Sequence, residues 1–437
     1  MKKISRRSFL TAAAACGAAA ALTCGGSSAS STAASSAASS TAASAAAGPV
    51  TLQWSVWDKE STPYWQAMAD GYMASHKDVT IEMVDLGSSD YMTVLATQLA
   101  GSADLDVVTV KDIPGYANLI NLDYLKPLNE VLTRDTGDFN GTIEQLTTDD
   151  GNFYAVPFRS DFWVLYYNKD LFTQAGLDPN APPTTYDEML EMAGKLAELK
   201  TADGNKVYPF GQTTASVAVS GSSINAMVYN FGGTVLAPDG TLSIDNQGFK
   251  DAITMLQELD KKGYNPQNSK LKDLRQLFAT GQLAMYYDQS WGFNGVQSIN
   301  PEAKNFAATA KPLKGGSGNG ASMLQAHILA YMDNGENQKT AARLFTEYLV
   351  TADQLQDYMT NITPAYPATK SMESMALNPV LEGAAGAIEN LTTTPFIPTL
   401  GDLNLELCTL AQDVTVGGTD VDKAIESFRT AASNIIG

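Results

Sequence analysis

The segment YAVPFRSDFWVLYYNKDLF, residues 154–172, sets two apolar runs on either side of a charged interruption. Residues 154–158 and 162–167 have the aromatic and β-branched content of strands passing through a dry core. Arg159, Ser160 and Asp161 part them, and Asn168, Lys169 and Asp170 close the second run. Charges taken out of water cost several kcal/mol each unless they are paired. The minimal reading is therefore a buried Arg–Asp pair, and a role at a ligand needs support from the rest of the chain.

Working outward, β and α patterns alternate on both sides. VTLQWSVW (50–57) alternates as a strand, and Ser61-Thr62-Pro63 places Pro in a first helical turn ahead of Trp65, Met68 and Tyr72 at helical spacing. VTIEMVDL (79–86) predicts a strand, Met92, Leu95, Ala96 and Leu99 stripe a helix, and DVVTV (106–110) predicts a short buried strand. Downstream, Thr185 and Glu188 make a capping box for a helix carrying Met189, Met192, Ala193, Leu196 and Leu199. Phe249, Ile253, Leu256 and Leu259 stripe another helix, QLAMYYD (282–288) predicts a strand, and two late helices carry Ala342, Phe345, Leu349 and Ala424, Ile425, Phe428. GGSGNGA (315–321) follows no first strand and reads as a loop rather than a nucleotide-binding turn. This alternation is that of parallel α/β sheets. At 437 residues the chain exceeds the ~250–300 residues at which single cores stop growing, so more than one core is expected.

The formal charge is −19, and the four basic residues among the first 48 (Lys2, Lys3, Arg6, Arg7) leave the remainder more acidic still. Such a body repels phosphate backbones and argues against nucleic-acid partners. Cys408 is the one thiol beyond the N-terminal region, so an intramolecular disulfide is excluded there, and His76 and His327 offer little for zinc or triad chemistry. No cofactor or metal is expected.

The N-terminus reads as an address. SRRSFL (5–10) and the Ala-rich stretch to Leu22 resemble a twin-arginine export signal, with an ordinary secretory signal as the other reading. ALTCGGSS (21–28) resembles a lipoprotein processing site, with Cys24 as the acylated residue and Cys16 as the alternative. Residues 25–48 are Gly, Ser, Ala, Thr and Pro-free, a flexible tether.

Taken in order, these features resemble the maltose-binding-protein type of extracellular solute-binding lipoproteins, which serve carbohydrate ABC importers. The most specific piece is the hydrated turn at 150–153 followed by YAVP, the polar break and LYYNKDLFTQAGLD (165–178). Supporting pieces are LQWSVWDKES (52–61), LATQLAGSADLDVVTV (95–110), LFATGQLAMYYDQSWGF (277–293), ITPAYPATKS (362–371) and VDKAIESF (421–428). The resemblance implies a periplasmic-binding-protein type II α/β fold, two lobes joined by crossover hinges with a ligand cleft between them. It divides the chain into a signal peptide (1–23), a linker (24–48), lobe 1 (49–160 and 320–367) and lobe 2 (161–319 and 368–437). It implies a non-catalytic receptor for a mono- or oligosaccharide, monomeric, lipid-anchored outside the cell membrane and partnered by permease subunits.

Sugar recognition uses amides and charged groups for the hydroxyls and flat rings for the C–H faces. The resemblance places Trp57, Asp58, Lys111, Asp112, Arg159, Asp161, Trp163, Asn225 and Trp291 at the ligand, with Asn225 opening a helix. Trp54 and Trp65 read as core. Asn404 stands where many relatives carry a stacking ring, which shortens the expected sugar. His327 reads as a core histidine, with a ligand contact as the second reading. Two other functions use the same residues: Arg159, Lys111 and Lys59 could take a phosphorylated polyol or other charged solute, and Asp58, Asp112 and Asp161 could supply a glycosidase's carboxylate pair.

Overall fold

The structure, a computed structural model, describes residues 48–57, 59, 63–87, 91–101, 104–129, 138–139, 143, 146–148, 150–325, 327–350, 353–372 and 376–437. Asp58, Cys16 and Cys24 lie outside the described residues. The chain opens with β1 (Val50–Val56), α1 (Pro63–Ser75), β2 (Val79–Asp85), α2 (Tyr91–Ala100), β3 (Val107–Val110) and α3 (Ile113–Asn121). There follow β4 (Val156–Arg159), β5 (Trp163–Asn168), α4 (Lys169–Gln174), α5 (Tyr186–Leu196), β6 (Tyr208–Gly211), α6 (Ala218–Asn230), α7 (Gln247–Lys261) and α8 (Leu271–Ala279). Next come β7 (Leu283–Gln289), α9 (Gly292–Ile299), β8 (Ala307–Ala310), β9 (Ser322–Met323), β10 (His327–Tyr331) and α10 (Glu336–Leu349). Beyond a short helix Asp353–Asp357 lie β11 (Leu391–Thr392), α11 (Leu400–Val414) and α12 (Val421–Ile436).

Two larger sheets result. The first has the order β2-β1-β3-β10-β4 and the second β6-β7-β5-β8. In the first, β1 runs parallel to β2 and β3, while β10 is antiparallel to β3 and β4. In the second, β6 and β7 are parallel and β5 is antiparallel to both β7 and β8. Each sheet is covered on both faces, which explains why its strands read as nearly continuous apolar runs. On one face of the first sheet Trp54, Val107 and Leu329 pack with Trp65, Met68, Tyr72 and Phe345; on the other Val108, Val110 and Ile328 pack with Leu95, Tyr116 and Leu119. The Trp54 indole donates to Thr109 Oγ1 at 2.8 Å, so this core tryptophan has no unmet polar group. Around the second sheet, Trp163, Leu165 and Tyr167 face α5 and α7, while Phe162, Val164 and Tyr166 face α8 and α9.

The opening segment is the passage between the sheets: β4 ends at Arg159 in the first and β5 begins at Trp163 in the second. Residues 160–162 are pinned on both sides. Ser160 exchanges backbone bonds with Tyr366, Gln325 N–H donates to the Asp161 carbonyl at 2.6 Å, and Phe162 bridges Leu324. Residues 160–162, 324–325 and 366 therefore meet side by side at the passage between the sheets.

The capping box forms as its residues require: Thr185 Oγ1 accepts from Glu188 N–H, and the Glu188 carboxylate accepts from Thr185 N–H. The GGSGNGA segment holds no helix, and Gly316 and Gly320 adopt φ of 52° and 69°. One helix start differs from the sequence reading. Asn225 does not open a helix; α6 begins seven residues earlier, at Ala218. Ser220, Gly221, Ser222 and Ser223 are weak helix formers. They are held helical by packing against α11, where a Cβ on Gly221 would stand 1.8 Å from the Asn404 carbonyl oxygen.

Candidate functional site

Open α/β sheets place ligands beyond the carboxyl ends of their strands. Here β3 ends at Val110 and hands on Lys111 and Asp112, and β7 ends at Gln289 and hands on Ser290 and Trp291. These ends open on one cavity of about 250 Å³, walled further by Ala218, Val219 and Ser222 of α6, by Asn404 of α11, and by Gln325 and His327. A larger cavity of about 670 Å³ lies toward the far ends of α3 and α6, lined by residues such as Asn121, Thr148, Tyr229, Asp239 and Phe396. It receives none of the residues singled out in the sequence, and the smaller cavity is the candidate site.

Each wall residue is held by identifiable contacts. Asp112 caps α3, accepting from Gly115 N–H at 2.7 Å, and burial raises its carboxyl above the usual range while that bond and Lys111 pull it back. The Lys111 ammonium lies 5.3 Å from the centre of the Trp57 ring. Trp57 is half-buried and packs edge-on to Trp65 and Tyr91, which makes it a support for Lys111 rather than a wall of the cavity. Trp291 is half-buried at the start of α9, with the Arg275 guanidinium 4.7 Å from its ring. Arg275 is itself clamped by two bonds to the buried Asp288, at 2.6 and 2.8 Å, which fixes the ring's orientation.

Polar residues that the sequence reading did not single out make up the floor. Gln289 Nε2 lies 3.3 Å from Gln325 Oε1, and Gln325 Nε2 donates to Ser222 Oγ at 3.1 Å. Gln289 is 5 % exposed and its Oε1 has no hydrogen-bond partner among the described residues. A buried amide oxygen without a donor costs roughly 1–3 kcal/mol, so this atom is one a ligand donor would satisfy.

Arg159 and Asp161 stand one side chain away from the cavity. Arg159 Nε reaches Asp161 Oδ2 at 2.8 Å, with the two residues 3 % and 0 % exposed. The same Oδ2 accepts from His327 Nδ1 at 2.6 Å, and Oδ1 accepts from Ser290 Oγ at 3.1 Å. Between them and the cavity lies His327, which pairs with Arg159 across β10 and β4 just where the register shifts by a bulge. Bulges of this kind re-aim side chains. Burial and the neighbouring Arg159 push the imidazole down to about 4, against the opposing pull of Asp161. His327 is thus neutral at neutral pH and is a wall residue of the cavity rather than a core histidine.

Two expected ligand residues are placed elsewhere. Trp163 is 1 % exposed within the core around the second sheet, because strand parity sends it to the same face as Leu165 and Tyr167. Asn225 is buried mid-helix, its Nδ2 donating to Thr394 Oγ1 at 2.8 Å. Lys111, Asp112 and Trp291 are brought together at the cavity, with His327 and Asn404 beside them.

Among known proteins, residues 67–381 match the family model described as bacterial extracellular solute-binding protein, and residues 3–23 match the twin-arginine translocation pathway signal sequence. The chain is similar to the sn-glycerol-3-phosphate-binding periplasmic protein of Salmonella typhimurium, 26% identical over 402 residues that cover 84% of this chain and 87% of the relative. It is 30% identical to a lactose-binding protein of Rhizobium radiobacter over 276 residues, 61% of this chain and 62% of the relative. The crystal structure of a cyclic alpha-maltosyl-1,6-maltose binding protein from Arthrobacter globiformis shares the fold at a TM-score of 0.76 and 23% identity, covering 89% of this chain and 99% of that one. The two-sheet architecture, the cavity at the strand ends and the family match over most of the body lead to one conclusion: this chain is an exported protein belonging to the bacterial extracellular solute-binding family.

Proposed function

We propose that the protein is the extracytoplasmic receptor of an ABC importer and that its cavity takes a neutral mono- or disaccharide. The observation that carries this reading is the balance of the wall. One cation (Lys111), one carboxylate (Asp112), a half-exposed flat ring (Trp291) and a buried amide oxygen in want of a donor (Gln289 Oε1) surround the same space. Sugar hydroxyls both donate and accept, and a ring face packs on C–H bonds, so one pyranose meets all four demands. Asn404 adds an amide where a second ring would extend a stacking platform, in keeping with a short sugar. Relatives that bind lactose and cyclic maltosyl-maltose support the solute class.

The glycerol-phosphate relative supports a phosphorylated polyol as the second reading. A phosphate accepts but does not donate once ionised. Lys111 would be its one cationic partner among the residues lining the cavity, since the Arg159 guanidinium is engaged by Asp161. The receptor reading further holds that ligand selects a closed arrangement of the lobes, which rotate about hinges near Asp161, near 318–322 and near 366–372. It also holds that the protein binds without catalysing, works as a monomer, and is tethered through acylated Cys24 by residues 25–48.

The test is a titration of the purified protein with lactose, maltose, glucose and sn-glycerol 3-phosphate, following tryptophan fluorescence and melting temperature together. A ligand at 100 times its Kd adds about 2.7 kcal/mol of stability. Trp291→Ala should weaken the responding sugar about tenfold, the scale of a lost stacking contact. Stabilisation by glycerol phosphate alone would overturn the sugar reading.

A further inference from the structure

We propose that Phe396 is a positioning residue of the site: its ring, packed on Tyr116 of α3, holds α11 against α3 and so keeps Asn404 and the Lys111–Asp112 strand end as walls of one cavity. The inference rests on the receptor reading above, in which two lobes close on a solute, and is independent of whether that solute is a sugar.

The contact joins elements anchored in different sheets. Tyr116 belongs to the core of the first sheet, where it is buried with Val108, Val110 and Ile328. Its hydroxyl donates to the Leu146 carbonyl and accepts from Tyr154 N–H, both at 3.0 Å, which fixes the ring. Phe396 comes from the strap 391–397 that leads into α11, and this strap is tied to α6 and to the chain after β9. Leu324 N–H donates to the Thr392 carbonyl at 2.9 Å, Tyr229 Oη to the Thr393 carbonyl at 3.2 Å, and Asn225 Nδ2 to Thr394 Oγ1 at 2.8 Å. Ile397 and Leu400 then pack into the core around the second sheet. From this anchored strap Phe396 reaches back to α3, with ring centres 5.2 Å apart and planes at 86°, the edge-to-face arrangement that aromatic pairs favour. The buried Asn225 helps to fix the strap that carries it.

The pair lies beside the site. Asp112 caps α3 and Tyr116 follows one turn later; α11 begins at Leu400, just after the strap, and Asn404 follows one turn later. Between α3 and α11 the space narrows to a gap of about 10 Å³, lined by Ile113, Pro114, Thr394, Leu400 and Asn404 among others. At Phe396 it widens again into the cavity of about 670 Å³, which has Asn121 and Tyr154 on one side and Thr393 and Phe396 on the other. The close approach of α3 to α11 is thus confined to the stretch between the site and Phe396. Truncating the ring would join that gap to the larger cavity and leave α3 and α11 free to part by hinge rotation. Phe396 does not line the candidate site, so it acts on ligand through the walls it holds together.

The test compares Phe396→Ala and Phe396→Leu with the parent, each as the whole purified protein. Without solute, small-angle X-ray scattering of Phe396→Ala should shift to a larger radius of gyration, because the arrangement with α3 on α11 loses population, and Phe396→Leu should fall between the two. Lactose, maltose, glucose and sn-glycerol 3-phosphate are then titrated. For whichever stabilises the parent, Kd should rise about threefold to tenfold in Phe396→Ala, the range of one edge-to-face pair, and Phe396→Leu should recover part of the loss. The change should lie in the dissociation rate. An identical scattering profile, with no more than a lowered urea midpoint, would make Phe396 ordinary packing and overturn the proposal. Unchanged or tighter binding in Phe396→Ala would overturn it as well, tighter binding by placing the contact in the open arrangement. The scattering comparison decides the proposal by itself where none of the four solutes stabilises the parent. Stabilisation by glycerol phosphate alone would overturn the sugar reading, and the proposal would then stand or fall on the Kd of that solute.

Discussion

Arg159→Met tests whether the charged interruption in the opening segment is a structural pair or a ligand contact. The substitution keeps much of the volume and removes the cation that stands 2.8 Å from Asp161 Oδ2 in a setting where both residues are essentially dry. Removing one partner of a buried ion pair costs about 3–5 kcal/mol, because the other charge is left behind. Asp161 retains two neutral donors, His327 Nδ1 at 2.6 Å and Ser290 Oγ at 3.1 Å, so the lower end, about 3 kcal/mol, is expected. With a urea m-value of ~3 kcal/mol/M, that is a midpoint lowered by about 1 M. Adding Asp161→Asn to Arg159→Met removes the stranded charge, so the double variant should be more stable than the sum of the two single losses predicts. Sugar affinity should stay within about threefold of the parent, since Arg159 lies outside the cavity wall and distant effects of this size are usually small. Strict additivity of the two substitutions would refute the pairing argument. A tenfold or greater loss of affinity in Arg159→Met, with stability unchanged, would turn Arg159 into a ligand contact and revive recognition of an anionic solute.

Two further outcomes follow from the same coordinates. Gly221→Ala would set a methyl group 1.8 Å from the Asn404 carbonyl and force α6 and α11 apart; a loss of roughly 3 kcal/mol, or outright misfolding, is expected in urea unfolding, together with weaker sugar binding because Ser222 and Asn404 both wall the cavity. Stability should also depend on His327: its folded value of about 4 lies below the unfolded 6.5, so the unfolded chain takes up a proton that the native ring refuses, and stability present above pH 6.5 is lost as pH falls toward 4, by about 3 kcal/mol in total. Asp106 and Asp112, both raised by burial, work in the opposite direction, so the informative quantity is the pH profile of the parent minus that of His327→Gln; parallel profiles would refute the assignment.

The fold was legible in the sequence wherever one periodicity ran uninterrupted. The stripe Trp65, Met68, Tyr72 and the run Val107–Val110 are buried in the structure because a helix face and a doubly covered strand leave those patterns no other arrangement. The start of α6 was not legible, since Ser220, Gly221, Ser222 and Ser223 carry no local signal for helix. What makes them helical is the close approach of α11, some 180 residues later in the chain, and it requires the absence of a side chain at Gly221. Propensity was overridden by a tertiary contact, and small residues were the trace it left.

The site divides along similar lines. Lys111, Asp112 and Trp291 could be found because they follow strand ends, a position set by the fold class alone. Trp163 was open to a better reading: Trp163, Leu165 and Tyr167 alternate with Phe162, Val164 and Tyr166, so once residues 163–168 are a strand buried on both faces, period 2 commits Trp163 to a core. Gln289 and Gln325 lay beyond sequence reasoning, and His327 was open to it only as a second reading, for a different reason. Their orientation depends on pairing between segments far apart: Gln289 opposite Trp163, Gln325 tied to the Asp161 carbonyl, and His327 turned by a bulge against Arg159. All three are set by the residues where the chain crosses between its sheets. The polar break at 159–161 therefore does its work indirectly. Its side chains neutralise one another and, in doing so, hold the residues that face the cavity, so substitutions in this segment should lower the stability of the crossover far more than they change sugar affinity.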